Sequence, residues 1–516
     1  MAKRAHSDLK GGTAEMESAV TTNEDLLRHV LKFVPQGGFL HFAPVSRSLK
    51  SAWGPRPTLT WFITRDTSLA QLRQGIISGG PLDKRYVCRT AARYGRLDLL
   101  QCARENGFLW NSWTCYYAAS KGHLTVLQWA RRNGCRWDED TCAAAAEGGF
   151  LPVLQWARRK GCRWSPETCY GAAGNGHLAV LQWARENGCS WDEKTCSSAA
   201  GGGFLAVLKW ARQKGCPWNE DTCSTAAARG DMAILQWARE NGCPWDRKTC
   251  SSAASGGHFE VLQWARQAGC PWDEETSSSA AARGHLEMIQ WARQNGCPWG
   301  RDTCSSAAEN GHLAIVQWAK ENDCPWDTTT CNSAARGGHL AVLQWARENG
   351  CPWNERTCRE AAKEGHLAVL QWARENGCPW DEETTIEAAS YGHLAVLQWA
   401  RQNGCPWDVD TCMYAASCND LTVLQWAREN GCPWNEKTCE MAAALENLHI
   451  LQWARQNGCR WDERTCWAAT EMAAEGRSFA ILRWARRNGC PWNKEECIST
   501  AMLRRDEFLA AWIREH

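Results

Sequence analysis

The 30 cysteines among 516 residues are the side chains of this chain best placed for chemistry. They recur in pairs seven apart, as at Cys135 and Cys142, Cys162 and Cys169, and Cys351 and Cys358. Thiolates at close quarters could hold zinc or exchange as disulfides, but metal ribbons and knuckles use C-x-x-C pairs, and the sequence has none. Thr385 and Ser277 replace a cysteine in two copies, which leaves Cys378 and Cys270 without the partner seven residues on. A required ligand does not tolerate such gaps, whereas small core filler does. Eight histidines follow a glycine, among them His123, His177, His312 and His366. Their regular place at a helix start predicts a structural hydrogen bond, and histidines one copy apart are too distant to share a metal. No H-E-x-x-H, P-loop, G-x-S-x-G or kinase set occurs. The serines of Ser251-Ser252 and Ser305-Ser306 have no base beside them. The sequence therefore predicts no enzyme activity, no cofactor and no metal.

The elements that position these side chains repeat. Thirteen tryptophans stand 27 residues apart from Trp129 to Trp453, each with a second tryptophan eight residues on. A unit this short cannot bury its own core and must stack on its neighbours. In the copy T-C-R-E-A-A-K-E-G-H-L-A-V-L-Q-W-A-R-E-N-G-C-P-W-D-E-E, from Thr357 to Glu383, Cys358, Ala361 and Ala362 share one helical face. Arg359, Glu360 and Lys363 are expected on the other. Gly365-His366 breaks the chain, and Leu367 to about Asn376 forms a second helix carrying Val369, Leu370, Trp372 and Ala373. Gly377 fits the left-handed position after a helix, and Pro379 prevents continuation. Asp381 is expected to cap the next helix. The spacing predicts an all-α solenoid of about 16 stacked helix–turn–helix copies, from Val87 to a last one near Glu496. The helix tryptophans such as Trp372 are expected to be buried between layers, and the loop column (Trp353, Trp380) to keep part of each ring exposed. The arginine of W-A-R (Arg347, Arg374, Arg401) is expected to pair with the acidic first turns.

The pattern T-C-x-x-A-A-x-x-G-H-L-x-V-L-x-x-A-x-x-N-G resembles the ankyrin repeat over about four fifths of the chain. It departs from it in lacking Pro-Leu-His and in having a period of 27 rather than 33. It is similar to the short Trp- and Cys-rich ankyrin-like arrays of giant DNA viruses and some algae. The resemblance implies protein binding on a concave face lined by the first helices. The segment from Asn23 to Trp53 does not share the period. Its Leu26, Leu27, Val30, Leu31, Val34 and Pro35, followed by Leu40, Val45 and Arg47, resemble the F-box. That resemblance implies docking to a cullin-type ubiquitin-ligase linker, although the leading Leu-Pro is absent and Leu49 replaces a tryptophan.

The expected organisation is a disordered polar tail (1–22), an F-box-like head (23–55) and a capping half-repeat (56–86). An array (87–495) and a C-terminal capping repeat (496–516) follow. Between Trp453 and Trp484 the interval is 31 residues, about one extra helical turn near Thr470 to Ala474, with a local bend. Lysine plus arginine (58) nearly equals aspartate plus glutamate (57), so no overall field draws the chain to nucleic acid or lipid. No apolar run approaches the ~18 residues that span a bilayer, and the start lacks a secretory signal. These features predict a soluble monomer, cytoplasmic or also nuclear, with reduced cysteines.

Framework positions hardly vary between copies, but the outward residues of the first helix do. Ser197-Ser198, Ser251-Ser252, Ser278-Ser279 and Ser305-Ser306 offer little anchoring energy. Aromatic, Met and Arg residues anchor partners more often. The partner face is therefore predicted to run from Thr357 to about Met472, with Arg359, Glu360, Lys363, Ile386, Glu387, Tyr391, Met413, Tyr414, Glu440, Met441 and Trp467. The expected function is a protein-interaction solenoid that hands a client to a ubiquitin ligase through its head. The alternatives are a free-standing scaffold or decoy, and a redox or metal-buffering protein.

Overall fold

Each copy folds into two short helices because two stripes of small and apolar residues are separated by glycine stops. The structure, a computed structural model, describes residues 67–77, 86–475, 477, 479–504 and 506–516. The tail, the head with Leu26, Leu27, Val30, Leu31, Val34, Pro35, Leu40, Val45 and Arg47, and most of the 56–86 stretch lie outside the described residues. Among the described residues there are 33 helices and no strand. The first, Leu69–Ile77, stands alone. The others form sixteen pairs, from Val87–Arg93 with Leu97–Glu105 to Lys494–Leu503 with Glu507–Glu515.

In the copy starting at Thr357, the helices are Glu355–Lys363 and Leu367–Glu375. Both end in a Schellman turn. After the second, Cys378 N donates to Ala373 O at 2.9 Å and Gly377 N to Arg374 O at 3.0 Å. After the first, His366 N donates to Ala361 O and Gly365 N to Ala362 O. The turn requires a left-handed residue past the helix end, which Gly377 (φ 82°) and Gly365 (φ 78°) provide. Gly365 is needed for a second reason. A Cβ there would lie 2.6 Å from Nδ1 of His393, one copy on. His393 Nε2 in turn hydrogen-bonds the Lys363 carbonyl at 2.9 Å, and His123, His177, His258 and His366 make the same bond 30 residues back. The histidine column is thus a bond between copies, as its placement predicts.

The described residues fall into two compact units. One comprises residues 1–226 and 231–244, the other 227–230 and 245–516. Within each, the first helices stack on one another from copy to copy, and each second helix packs on its own first helix. Small residues allow that approach. Cys358, Ala361 and Ala362 are fully buried, with Leu370 and Ala373 from the second helix. The four-residue insertion lengthens a first helix, as expected: Glu463–Ala474 has 12 residues against nine in Glu355–Lys363.

Three expectations need correction. Asp381 takes the extended cap conformation but makes no side-chain capping bond. Its carboxylate instead accepts from the Arg359 guanidinium, with Nε at 2.9 Å. Asp246, Asp273, Asp327, Asp408 and Asp462 do cap. The W-A-R arginines do not pair with the acidic turns. Arg374 lies 4.1 Å over the Trp380 ring and donates Nη1 to the Cys378 carbonyl. Arg347 on Trp353 and Arg401 on Trp407 do the same. The C-terminal glycine turn folds the loop tryptophan back under the guanidinium, which is closer than any carboxylate. That ring also meets the helix tryptophan of the next copy edge to face, as Trp353 meets Trp372 at 5.9 Å and 66°. Neither column is fully buried; both remain half-exposed. Arg374→Ala is therefore expected to cost about 1–2 kcal/mol by urea unfolding, from the lost ring contact and the unmet carbonyl.

The cysteines are also paired differently. The thiols that meet are 20 apart in sequence, one from a first helix and one from the loop of the same copy. Cys304 and Cys324 pack in one cluster with Ala319, covered by Trp299 and Trp326. The thiol of Cys358 is held up by its hydrogen bond with Cys378 and by burial. Ser277 and Thr385 therefore leave Cys297 and Cys405 without a thiol partner, rather than Cys270 and Cys378. Ser277 and Thr385 satisfy their hydroxyls on backbone, at Pro298 O (3.1 Å) and Pro406 O (3.0 Å). Burial, with a smaller push from Asp273 at Cys297 and from Asp381 and Glu382 at Cys405, then raises Cys297 to about 11 and Cys405 to about 12. Among the described residues no disulfide forms, and every cysteine but Cys418 is buried.

Candidate partner-binding face

The outward positions of the first helix fall into two groups between Thr357 and Met472. The first is engaged within the array. Glu360 is only 7% exposed, where the one-helix pattern places it outward. It accepts from Arg336 of the preceding copy through both guanidinium arms, each at 2.9 Å, and from Arg356 at 3.0 Å. The Arg336 guanidinium beside it, with Arg356, holds its carboxyl below the usual range against the opposing effect of burial. Arg336 also reaches Glu309 at 3.6 Å. Arg359 is spent on Asp381, and Ile386 is only 7% exposed. Stacking of the first helices covers Glu360 and Ile386, whereas Arg359 stays partly exposed and is engaged through its ion pair with Asp381. Lys363 sits 5.4 Å over the Tyr391 ring. Glu387 is half-buried, which raises its carboxyl above the usual range.

The second group is open. Tyr391 is 52% exposed, Tyr414 37% and Leu445 46%. Met413, Glu440, Met441 and Trp467 are half-exposed. Tyr391, Cys418 and Leu445 occupy one register position in three consecutive copies, and Tyr414 and Met441 occupy another. Leu445 stands just past the end of its first helix, as Tyr391 does.

The framework itself lapses at this place. Asn419 (φ 57°) and Glu446 (φ 60°) hold the left-handed position that glycine fills in other copies, a strained conformation for such residues. Asp420 replaces the histidine and caps its own helix through Thr422 N at 2.9 Å. The bond back to the preceding copy is therefore absent at Asp420. No atom lies within 4 Å of where a Gly392 Cβ would be, unlike at Gly365. The bond resumes one copy later, from Asn447 Nδ2 to Ala416 O at 2.9 Å. The first helix between, Val409–Ala415, is shortened to seven residues. Gly-His giving way to Asn419-Asp420 and Glu446-Asn447 is the sequence signal that marks this site.

Among the described residues no three His, Cys, Asp or Glu side chains gather as a metal-binding group, and no helix is long and apolar enough to cross a membrane.

No family model matches the sequence, and no curated protein matches it. Among solved structures, the maize pentatricopeptide repeat protein PPR10 is 14% identical with a TM-score of 0.29, over 86% of this chain and 88% of that one. The same protein in complex with an 18-nt psaJ RNA element gives 13% and 0.33, over 87% and 88%. The human ASB11 ankyrin repeat domain is 17% identical with a TM-score of 0.27, over 30% of this chain and 84% of that chain. Likenesses this low carry no argument about function. The assignment to an all-α helical-repeat fold rests on the chain's own sixteen helix pairs.

Proposed function

We propose that the chain is a protein-binding repeat scaffold whose partner docks on the first-helix face between Thr357 and Met472, centred on Tyr391, Tyr414 and Leu445. One observation carries this reading. The exposed Tyr391, Tyr414 and Leu445 fall where the repeat's own framework is given up, at Asn419, Asp420 and Glu446. In the copies between, these positions hold small, polar or charged residues, and aromatics return there only at Tyr94 and Tyr117 near the start of the array. Glu387 and Glu440 border the rings, so the partner is a segment with apolar anchors flanked by lysine or arginine.

Replacing Tyr391, Tyr414 and Leu445 together by serine is expected to weaken retention of that partner at least about tenfold, because buried aromatic anchors dominate such interfaces. Unchanged retention in a quantitative co-precipitation would refute the localisation. The F-box-like segment at 23–55 supports a finer reading, in which the scaffold delivers its client to a ubiquitin ligase. A cullin-type linker should then co-precipitate with the full chain and be lost when residues 1–55 are removed. Its absence from both precipitates removes the ligase role and leaves the scaffold.

A further inference from the structure

The second-helix ends carry a feature that this reading does not use. Three residues after the helix tryptophan most copies have Glu or Gln, as at Glu186, Gln213, Glu240 and Glu348. Seven residues after it most have Pro, as at Pro217, Pro244 and Pro352. Two adjacent copies depart together. The loop after Leu124–Arg132 has Arg132 and Arg136, and the loop after Leu151–Arg159 has Arg159, Lys160 and Arg163. All five side chains are exposed. Among the described residues none is in an ion pair, and the one bond they make is Arg159 Nε to the Gln155 carbonyl at 3.4 Å. Arg131 and Arg158 beside them are occupied by the Trp137 and Trp164 rings.

The two loops lie in successive layers. Trp137 packs on Trp156 at 5.7 Å, and Cys162 Sγ donates to the Asp138 carbonyl at 3.2 Å. The acids that follow, Asp138, Glu139 and Asp140, sit at the start of the next first helix. Burial and the neighbours Asp138, Glu167 and Glu139 raise the Asp140 carboxyl, and among the described residues none of these acids is in an ion pair with the five cations. Beyond Arg163 the charge ends at Ser190. On the other side it ends at Leu109, with the half-exposed Trp113 four residues on.

We propose that this edge binds the phosphate backbone of a nucleic acid without reading its bases. Five unpaired, exposed cations spread over two layers suit a ligand with dense, evenly spaced charge. Duplex DNA carries about one charge per 1.7 Å of its axis, so every guanidinium finds a phosphate whatever its rotamer. Arginine predominates, as phosphate recognition favours. An acidic protein partner would instead need carboxylates matching these two layers in one register, and the half-exposed Trp137 and Trp164 beside the cations are already covered by Arg131 and Arg158.

The test uses the full chain and fluorescence anisotropy with labelled oligouridylate and duplex DNA, each about 20 nucleotides long. The comparison variant combines Arg132→Glu, Arg136→Pro, Arg159→Glu, Lys160→Asn and Arg163→Pro, residues that occupy these positions in other copies and fold there. With five contacts, the slope of log K against log salt should be about −3.5 for the single strand and about −4.5 for the duplex. Affinity then falls on the order of a hundredfold for the single strand between 50 and 200 mM salt. The variant should lose nearly all of this slope, while Arg460→Pro with Arg487→Glu, single cations in later copies, should keep it. Trp113→Ala should weaken the oligouridylate alone if the strand stacks on that ring. Absence of binding to both probes at low salt, or a variant that binds as the parent does, overturns the proposal. Equal affinity and slope for polyglutamate overturns it too, since the edge would then take any polyanion.

Discussion

Leu370→Ala is expected to lower the unfolding free energy by about 2–5 kcal/mol, the range for emptying a buried leucine site. Leu370 has no exposed surface, and neither do Ala361, Ala362 and Ala373 of its own copy. Those neighbours are already methyl groups or backbone and have no longer side chain to move into the space. A short copy has no core apart from its interfaces, so the loss is felt on both sides. Urea unfolding followed by circular dichroism should change from one transition to two, as the copies before and after Thr357 separate. Leu509→Ala in the last helix, Glu507–Glu515, should only fray the end. A single transition with an unmoved midpoint for Leu370→Ala would mean that the layers are not held by this column.

Glu360→Ala should be the costliest polar substitution, at about 1–3 kcal/mol. Removing one member of a fully buried ion pair costs more, but Arg336 is 35% exposed and Arg356 61% exposed, so both can recover water. The effect also depends on pH. The folded-state carboxyl is held below its ordinary value, chiefly by Arg336. Its contribution is therefore fully present above the unfolded-state value of about 4.3 and is lost as pH falls through the lower folded value. Between pH 7 and 5 the difference in stability between parent and Glu360→Gln should stay constant, and below pH ~4 it should shrink. A difference that grows on acidification would contradict the ion-pair account.

Much of the candidate face was legible because comparing copies with one another serves in place of an alignment. Tyr414 and Met441 stood out where serines occupy the same position in other copies, and Tyr391 where glycine, asparagine or arginine do; Tyr391 and Tyr414 are exposed in the structure and Met441 half-exposed. Arg359, Glu360 and Ile386 stood out by the same test and are covered or paired. A helical pattern tells which face of its own helix a residue lies on. It does not tell how far the neighbouring first helix covers that face, and Arg336, from the copy before, claims Glu360.

By itself the sequence determined the period, the two helices of each copy and where they stop, because these depend on interactions a few residues long. Glycine at 365 and 377, proline at 379 and the i, i+3, i+4 placement of small residues act within one or two turns. The tertiary structure decided which residue meets which across the loops and the layers. Cysteines meet 20 residues apart rather than seven, histidine reaches a carbonyl 30 back, and the W-A-R arginine lies on a tryptophan ring instead of a carboxylate. A repeat of 27 residues is equally compatible with many offsets between facing positions. The offset is chosen by how closely alanine- and cysteine-lined helices approach and by where the glycine turns aim the loop, and only packing sets those.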